Sequence, residues 1–341
     1  TEVPGVVRVN SYPVYLGERL YFLSDRTGTF NVFEYDQPTN SVRQLTHSQD
    51  VDVKSLAAGG GILVYEQAGA LHTLDPKSGA DKELTITVRG DFPWAMPHWK
   101  DVRKDIVASS LSPNGARALF EARGEVFTVP AEKGDVRNLS HSPGAADRSP
   151  VWSPDGKSIA WFSDQTGEYR VMISDQNGLL PPREIVLQSP TFYFDLRWSP
   201  DSKYLAFTDA ERNLWMLNVE KGTSHRVDTD RTAHPERIMI PAWSPDSRWI
   251  AYAKQLPNLF RGIMVYSMKE DKSYQVTDGL SDAVSPTWDK GGKYLYFLAS
   301  TDIGLNTGWL DLGSLERPIR RGVYFAVLAK DTPSPLLPES D

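Results

Sequence analysis

One pentapeptide constrains this chain more than any other feature. Trp152-Ser153-Pro154-Asp155-Gly156 returns as Trp198-Ser199-Pro200-Asp201-Ser202 and as Trp243-Ser244-Pro245-Asp246-Ser247. A weaker copy stands earlier, at Leu111-Ser112-Pro113-Asn114-Gly115, and a degenerate one later, at Trp288-Asp289-Lys290-Gly291-Gly292. The steps between copies are 41, 46, 45 and 45 residues. A fixed period of this length marks an array of equal units.

Each unit reads as an up-and-down sheet. A strand runs into the Trp. Ser-Pro-Asp-Gly then supplies turn chemistry, with Pro presetting φ, Asp bonding its own backbone and Gly tolerating positive φ. Ser158–Ser163 alternates as a second strand, Asp164–Gly167 turns again, and two further strands follow near Tyr169–Ser174 and Arg183–Leu187. Four short strands per period are the pattern of a β-propeller blade. At 341 residues the chain holds between seven and eight periods. Seven units are countable, so the expected fold is all-β, a seven-bladed β-propeller of four-stranded antiparallel blades. It is expected to fill residues 1–332 as one domain, with 333–341 beginning a linker to a following domain.

The last unit lacks a fourth strand. Asp331–Pro338 fits there only as an edge, because each Pro removes a ladder donor. Gly5–Val9 is the alternative, closing the ring from the N-terminus. Two insertions interrupt the pattern. Arg89–Lys104 carries Phe92, Trp94, His98 and Trp99, and Thr301–Arg321 carries Trp309 and Leu310.

Composition narrows the chemistry. Net charge is −7 with no basic run, which disfavours nucleic-acid partners. No run approaches the roughly 18 apolar residues of a membrane span. There are no cysteines, so thiolate catalysis and cysteine-based metal sites are excluded. No nucleophile elbow, zinc-protease helix motif or phosphate loop occurs. The turn aspartates suggest a cation only superficially, since Asx turns explain them without one. No cofactor is expected. One constellation has a geometric basis: first strands of blades line a propeller's central channel, so polar residues just before each Trp position converge there. Asp147, Arg148, Asp195, Arg197, Arg237 and Asp282 are the candidate channel-lining, peptide-steering residues, with Asp52, Lys54 and Asp105 in the corresponding earlier positions. A lining of both signs can steer a peptide; charges pairing with one another in a water-filled tunnel are the alternative.

Further stretches carry a family resemblance. These are Tyr21–Gly28 (YFLSDRTG), Ile62–Gln67 (ILVYEQ), Phe120–Pro130 (FEARGEVFTVP), Gly134–Leu139 (GDVRNL), Ser300–Asp311 (STDIGLNTGWLD) and the Pro-Ser-Pro tail to Asp341. The blade motif alone resembles the TolB/tricorn propeller superfamily. Together the stretches resemble the second, seven-bladed propeller of bacterial tricorn-like serine peptidases, over nearly the whole chain. The resemblance implies a first propeller before this region and a PDZ domain and C-terminal-processing-type peptidase domain after it. The family's catalytic residues lie in those later domains, so none is carried over here. It further implies a propeller that gates peptide access to the protease chamber, with peptide substrates and the parent's other domains as partners. Membrane and nucleic acid are not expected partners. The expected location is the bacterial periplasm or the exterior, with the cytoplasm as the alternative. Two rival readings remain: a free-standing TolB-like binding propeller, and a metal-dependent propeller hydrolase. The chain alone is expected to be a folded, soluble monomer without peptide hydrolysis.

Overall fold

A computed structural model describes residues 8–96, 98, 100–231, 239–300 and 320–337. Among them the chain is built of antiparallel β-sheets joined in sequence order, with one short 3-10 turn at Pro93–Ala95. It divides into two compact units, Thr1–His98 and Trp99–Asp341.

The first unit holds two four-stranded sheets. One is β1 (Asn10–Leu16), β2 (Arg19–Ser24), β3 (Asn31–Asp36) and β4 (Ser41–Gln44). The other is β5 (Val53–Gly59), β6 (Ile62–Gln67), β7 (Ala70–Leu74) and β8 (Asp81–Glu83). Tyr21, Leu23 and Val32 of the first sheet pack on Val53, Leu56, Leu63, Tyr65 and Leu74 of the second. Val9, just before β1, donates its amide to the Asp25 carboxylate and accepts from the Asp25 amide. Gly5–Val7 lie outside the described residues.

The second unit holds five sheets. The third comprises β9 (Ile106–Leu111), β10 (Arg117–Ala122), β11 (Glu125–Pro130) and β12 (Arg137–Asn138). The fourth comprises β13 (Arg148–Trp152), β14 (Ser158–Ser163), β15 (Arg170–Asp175) and β16 (Arg183–Val186). The fifth comprises β17 (Tyr193–Trp198), β18 (Tyr204–Asp209), β19 (Asn213–Asn218) and β20 (Thr223–Thr229). The sixth comprises β21 (Ala242–Trp243), β22 (Trp249–Gln255), β23 (Arg261–Ser267) and β24 (Lys272–Gln275). The seventh has three strands, β25 (Asp282–Trp288), β26 (Tyr294–Ser300) and β27 (Gly322–Val327). The described part of the tail, to Leu337, forms turns and no strand. The insertion residues 301–319 lie outside the described residues.

The core is a series of layers between successive sheets. Leu119, Val126 and Leu139 meet Trp152, Ile159 and Trp161. Phe162, Val171 and Ile185 meet Tyr193, Leu196 and Phe207. Ala206 and Leu214 meet Ile250, Tyr252 and Tyr266, and Val265 meets Ala283 and Leu295. A strand packed on both faces needs no polar alternation. This is why second strands such as Ser158-Ile-Ala-Trp-Phe-Ser163 are almost wholly buried, while outer strands such as Arg183–Val186 are exposed except at Ile185.

Candidate inner-strand site

The repeated turn is closed by its own side chains. Ser153 Oγ donates to Asp155 Oδ1 at 2.6 Å, and that oxygen also accepts from the Lys157 amide. The Ser158 amide donates back to Ser153 Oγ. Ser199–Asp201 and Ser244–Asp246 repeat this, and Ser112–Asn114 does so with an amide in place of the carboxylate. The aspartates thus act as Asx-turn acceptors. Gly156 takes φ 71°, as the turn requires, yet Ser202 and Ser247 adopt φ 59° at the same position. Their hydroxyls explain the exchange: Ser202 Oγ accepts from the Asp155 amide of the preceding sheet, and Ser247 Oγ from the Asp201 amide.

The Trp residues form a second set of staples. Trp198 Nε1 donates to Val151 O, Trp243 Nε1 to Arg197 O and Trp288 Nε1 to Ala242 O, at 3.3, 3.2 and 2.9 Å. Each indole therefore caps the carbonyl just before the Trp of the preceding sheet. Trp152 follows a sheet with Leu111 at that place, and its Nε1 is buried with no partner among the described residues.

A bulge recurs three residues before the aromatic. The pairing of first and second strands shifts between Arg148 and Val151, Phe194 and Arg197, Val284 and Thr287, and Ser11 and Val14. At each shift one residue takes positive φ: Ser149, Asp195, Ser285 and Tyr12. Bulges re-aim side chains, and strand prolines concentrate at them. Pro150, Pro286 and Pro13 each follow the bulged residue, so the sequence did carry the signal.

Against this frame the candidate lining residues separate. Asp147 is buried, accepting from Trp161 Nε1 at 2.9 Å and from Ser142 Oγ, while its amide bonds Gly124 O of the preceding sheet. Arg148 is stacked over the Phe192 ring at 3.7 Å and the Tyr169 ring at 4.6 Å, and donates to the Tyr169 hydroxyl. Asp282 accepts the Arg261 amide and guanidinium, and Arg321 Nη2 lies 2.6 Å from its Oδ2. Burial alone pushes Asp282 up, but the Arg261 and Arg321 bonds and charges outweigh it and bring the carboxyl down to about 2. Burial pushes the Asp195 carboxyl up against the opposing pull of Arg197. Arg197 is exposed. Arg237 lies outside the described residues. In the earlier positions, Asp52 accepts the Phe30 amide of the preceding sheet, Lys54 is exposed, and the Asp105 amide donates to Val102 O.

What the structure brings together is a wall built from the repeated Trp and Pro residues themselves. Trp152, Trp198, Trp243 and Trp288, with Pro154, Pro200 and Pro245 from the turns, line one cavity of about 670 Å³. An adjoining cavity of about 330 Å³ is lined by Arg261, Ser285 and Pro286. Arg197 borders both. The first strands of four successive sheets therefore present an apolar Trp–Pro surface with an exposed guanidinium beside it. No described cluster of three or more His, Asp or Glu has the spacing of a metal site.

Comparisons with known proteins agree with this architecture. Residues 106–341 match the family described as the tricorn protease second beta propeller domain. The chain is 26% identical over 338 residues to "Tricorn protease homolog 1" of Streptomyces coelicolor, covering 96% of this chain and 31% of that protein. It is 25% identical over 349 residues to "Tricorn protease" of Thermoplasma volcanium, covering 96% and 32%. The crystal structure of the tricorn protease superposes with a TM-score of 0.54 at 18% identity, over 98% of this chain and 32% of that one. The chain thus spans about a third of the length of these relatives.

Proposed function

The chain belongs to the family of tricorn protease second β-propeller domains, and from that premise we propose that its inner strands guide peptides toward a protease site held elsewhere in a longer protein. In that role the chain is a non-catalytic propeller of a tricorn-like protease, with seven blades around a channel. The parent would be a serine peptidase carrying a PDZ domain, acting in the periplasm or outside the cell. Unfolded peptides and the parent's other domains are the partners.

The observation that supports this most is the Trp–Pro wall shared by four first strands, with Arg197 exposed along it. Asp289 at this wall accepts the Gly291 and Tyr294 amides of its own turn, and the exposed charges there are Arg197 and Lys290. Aromatic and proline surfaces accept extended apolar chains, and a guanidinium holds carboxylates by paired hydrogen bonds.

The test uses the full-length protein that contains this segment. Arg197→Trp narrows the wall while leaving the Arg197 carbonyl free to accept from Trp243. Its kcat/KM on long unstructured peptides is expected to fall by about tenfold, equal to ~1.4 kcal/mol, with tripeptide cleavage unchanged. Unchanged kinetics on long peptides removes the guiding role.

A further inference from the structure

β27 borders the only three-stranded sheet among the described residues, yet its sequence is that of an interior strand. The outer strands of the other six sheets all carry charge: Arg43, Asp81, Arg137, Arg183, Arg226 and Lys272 are among them. Charged side chains protect an edge from unwanted pairing. Gly322-Val-Tyr-Phe-Ala-Val327 has none, and it reads like the third strand Asn213-Leu-Trp-Met-Leu-Asn218. Tyr324 is 42% exposed.

A cavity of about 700 Å³ lies between the sixth and seventh sheets and reaches Leu328 and Ala329, just past the end of this strand. Val265, Tyr274 and Val276 wall it on one side, Trp288 and Leu328 on the other. Its rim charges are already satisfied. Arg248 lies 2.7 Å from Asp246, and Glu270 accepts from the Tyr274 hydroxyl. The described tail does not fill the place: Pro333 O accepts from the Tyr294 hydroxyl, and the Leu337 amide turns back to Ser334 O.

We infer that the edge of β27, unpaired among the described residues, and the cavity at its end form a strand-addition site for an extended peptide bearing uncharged apolar side chains at alternate positions. A strand added to an edge gains affinity from main-chain bonds and specificity from every second side chain. The equivalent place in the other six sheets holds one strand of two to seven residues, so a single peptide strand is the fitting occupant. A second copy of this chain fits less well. Its outer strands would bring charges to a rim whose own charges are paired. The inference is independent of the role proposed for the inner wall.

The test uses a capped, fluorescein-labelled octapeptide of alternating Val and Thr. Saturable binding is expected, with slowed hydrogen exchange at the amides of Gly322–Val327. The same peptide N-methylated at alternate amides should bind at least about tenfold more weakly, a control that leaves the protein untouched. Tyr324→Lys, which gives β27 the charge its counterparts have, should weaken binding similarly. Equal binding of the N-methylated peptide overturns the inference. So do protection confined to other strands, β27 amides that are protected before peptide is added, or a concentration-dependent dimer that protects those same amides.

Discussion

Asp282 and Asp195 both stand on first strands of the second unit, and their carboxyl groups have opposite surroundings. Asp282 is 6% exposed and receives one backbone amide and two guanidinium groups. Asp195 sits on a bulge at φ 54°, with Oδ2 buried and unpartnered among the described residues. Burial acts upward on both pKa values. Donors decide the outcome: two arginines turn Asp282 into a clamp between sheets, whereas Arg197 only moderates Asp195. A buried carboxylate is therefore structural here when its neighbours were placed to meet it.

The largest break in this contrast is Asp282→Asn. It leaves Arg261 and Arg321 facing a neutral group in a mostly buried place. Losing one partner of such a cluster costs roughly 3–5 kcal/mol, read as a lowered urea midpoint. The pH dependence has a definite sign. Because the folded pKa lies below the unfolded one, the ionised carboxylate stabilises the fold above about pH 4. That contribution is lost as pH falls toward about 2. The part of acid destabilisation due to this residue, roughly 2 kcal/mol or less, should vanish in the variant.

A smaller break tests the staples along the same strands. Trp288→Phe removes the indole bond to Ala242 O, and a half-buried carbonyl losing its donor costs about 1 kcal/mol beyond the lost packing. Trp152→Phe removes an N–H that has no partner among the described residues, so it should cost less by about that amount. Equal losses in the two variants would show that the indole bond contributes nothing.

The architecture was legible because its signal is repetition. The Trp positions, the turn residues and a last sheet of three strands among the described residues all follow from a period of about 45 and from turn chemistry. The lining was only partly legible. Position in a first strand says that a side chain lies near the inner surface, but not which face a bulge turns it toward or which donors await it. Asp147 reads as a lining charge until Trp161, fourteen residues on, supplies its N–H. Arg148 reads as a steering cation until Tyr169 and Phe192 enclose it. These partners come from other strands or the next sheet, beyond the reach of local pattern. The Trp–Pro wall was missed for a different reason. A residue that wedges two sheets with one face can line a cavity with its edge, and spacing does not separate the two roles.

The smallest predicted effect bears on the other carboxylate. Asp195→Asn removes a partly buried charge that lacks donors, and Asn tolerates the left-handed backbone as well as Asp does. Stability at pH 7 should rise by about 0.5 kcal/mol, the scale of substitutions outside the packed core. An acid whose folded pKa is raised weakens the fold as pH climbs through that value. The gain should therefore be present at neutral pH and fade as pH falls below about 4, where the unfolded carboxyl is protonated too. Asp195→Ala removes the same charge but places a residue with no local hydrogen-bonding side chain at φ 54°. It should fall below the Asn variant at every pH. If Ala and Asn behave alike, charge alone governs this position; if Asn destabilises at pH 7, an unseen donor meets the carboxylate and the contrast with Asp282 collapses.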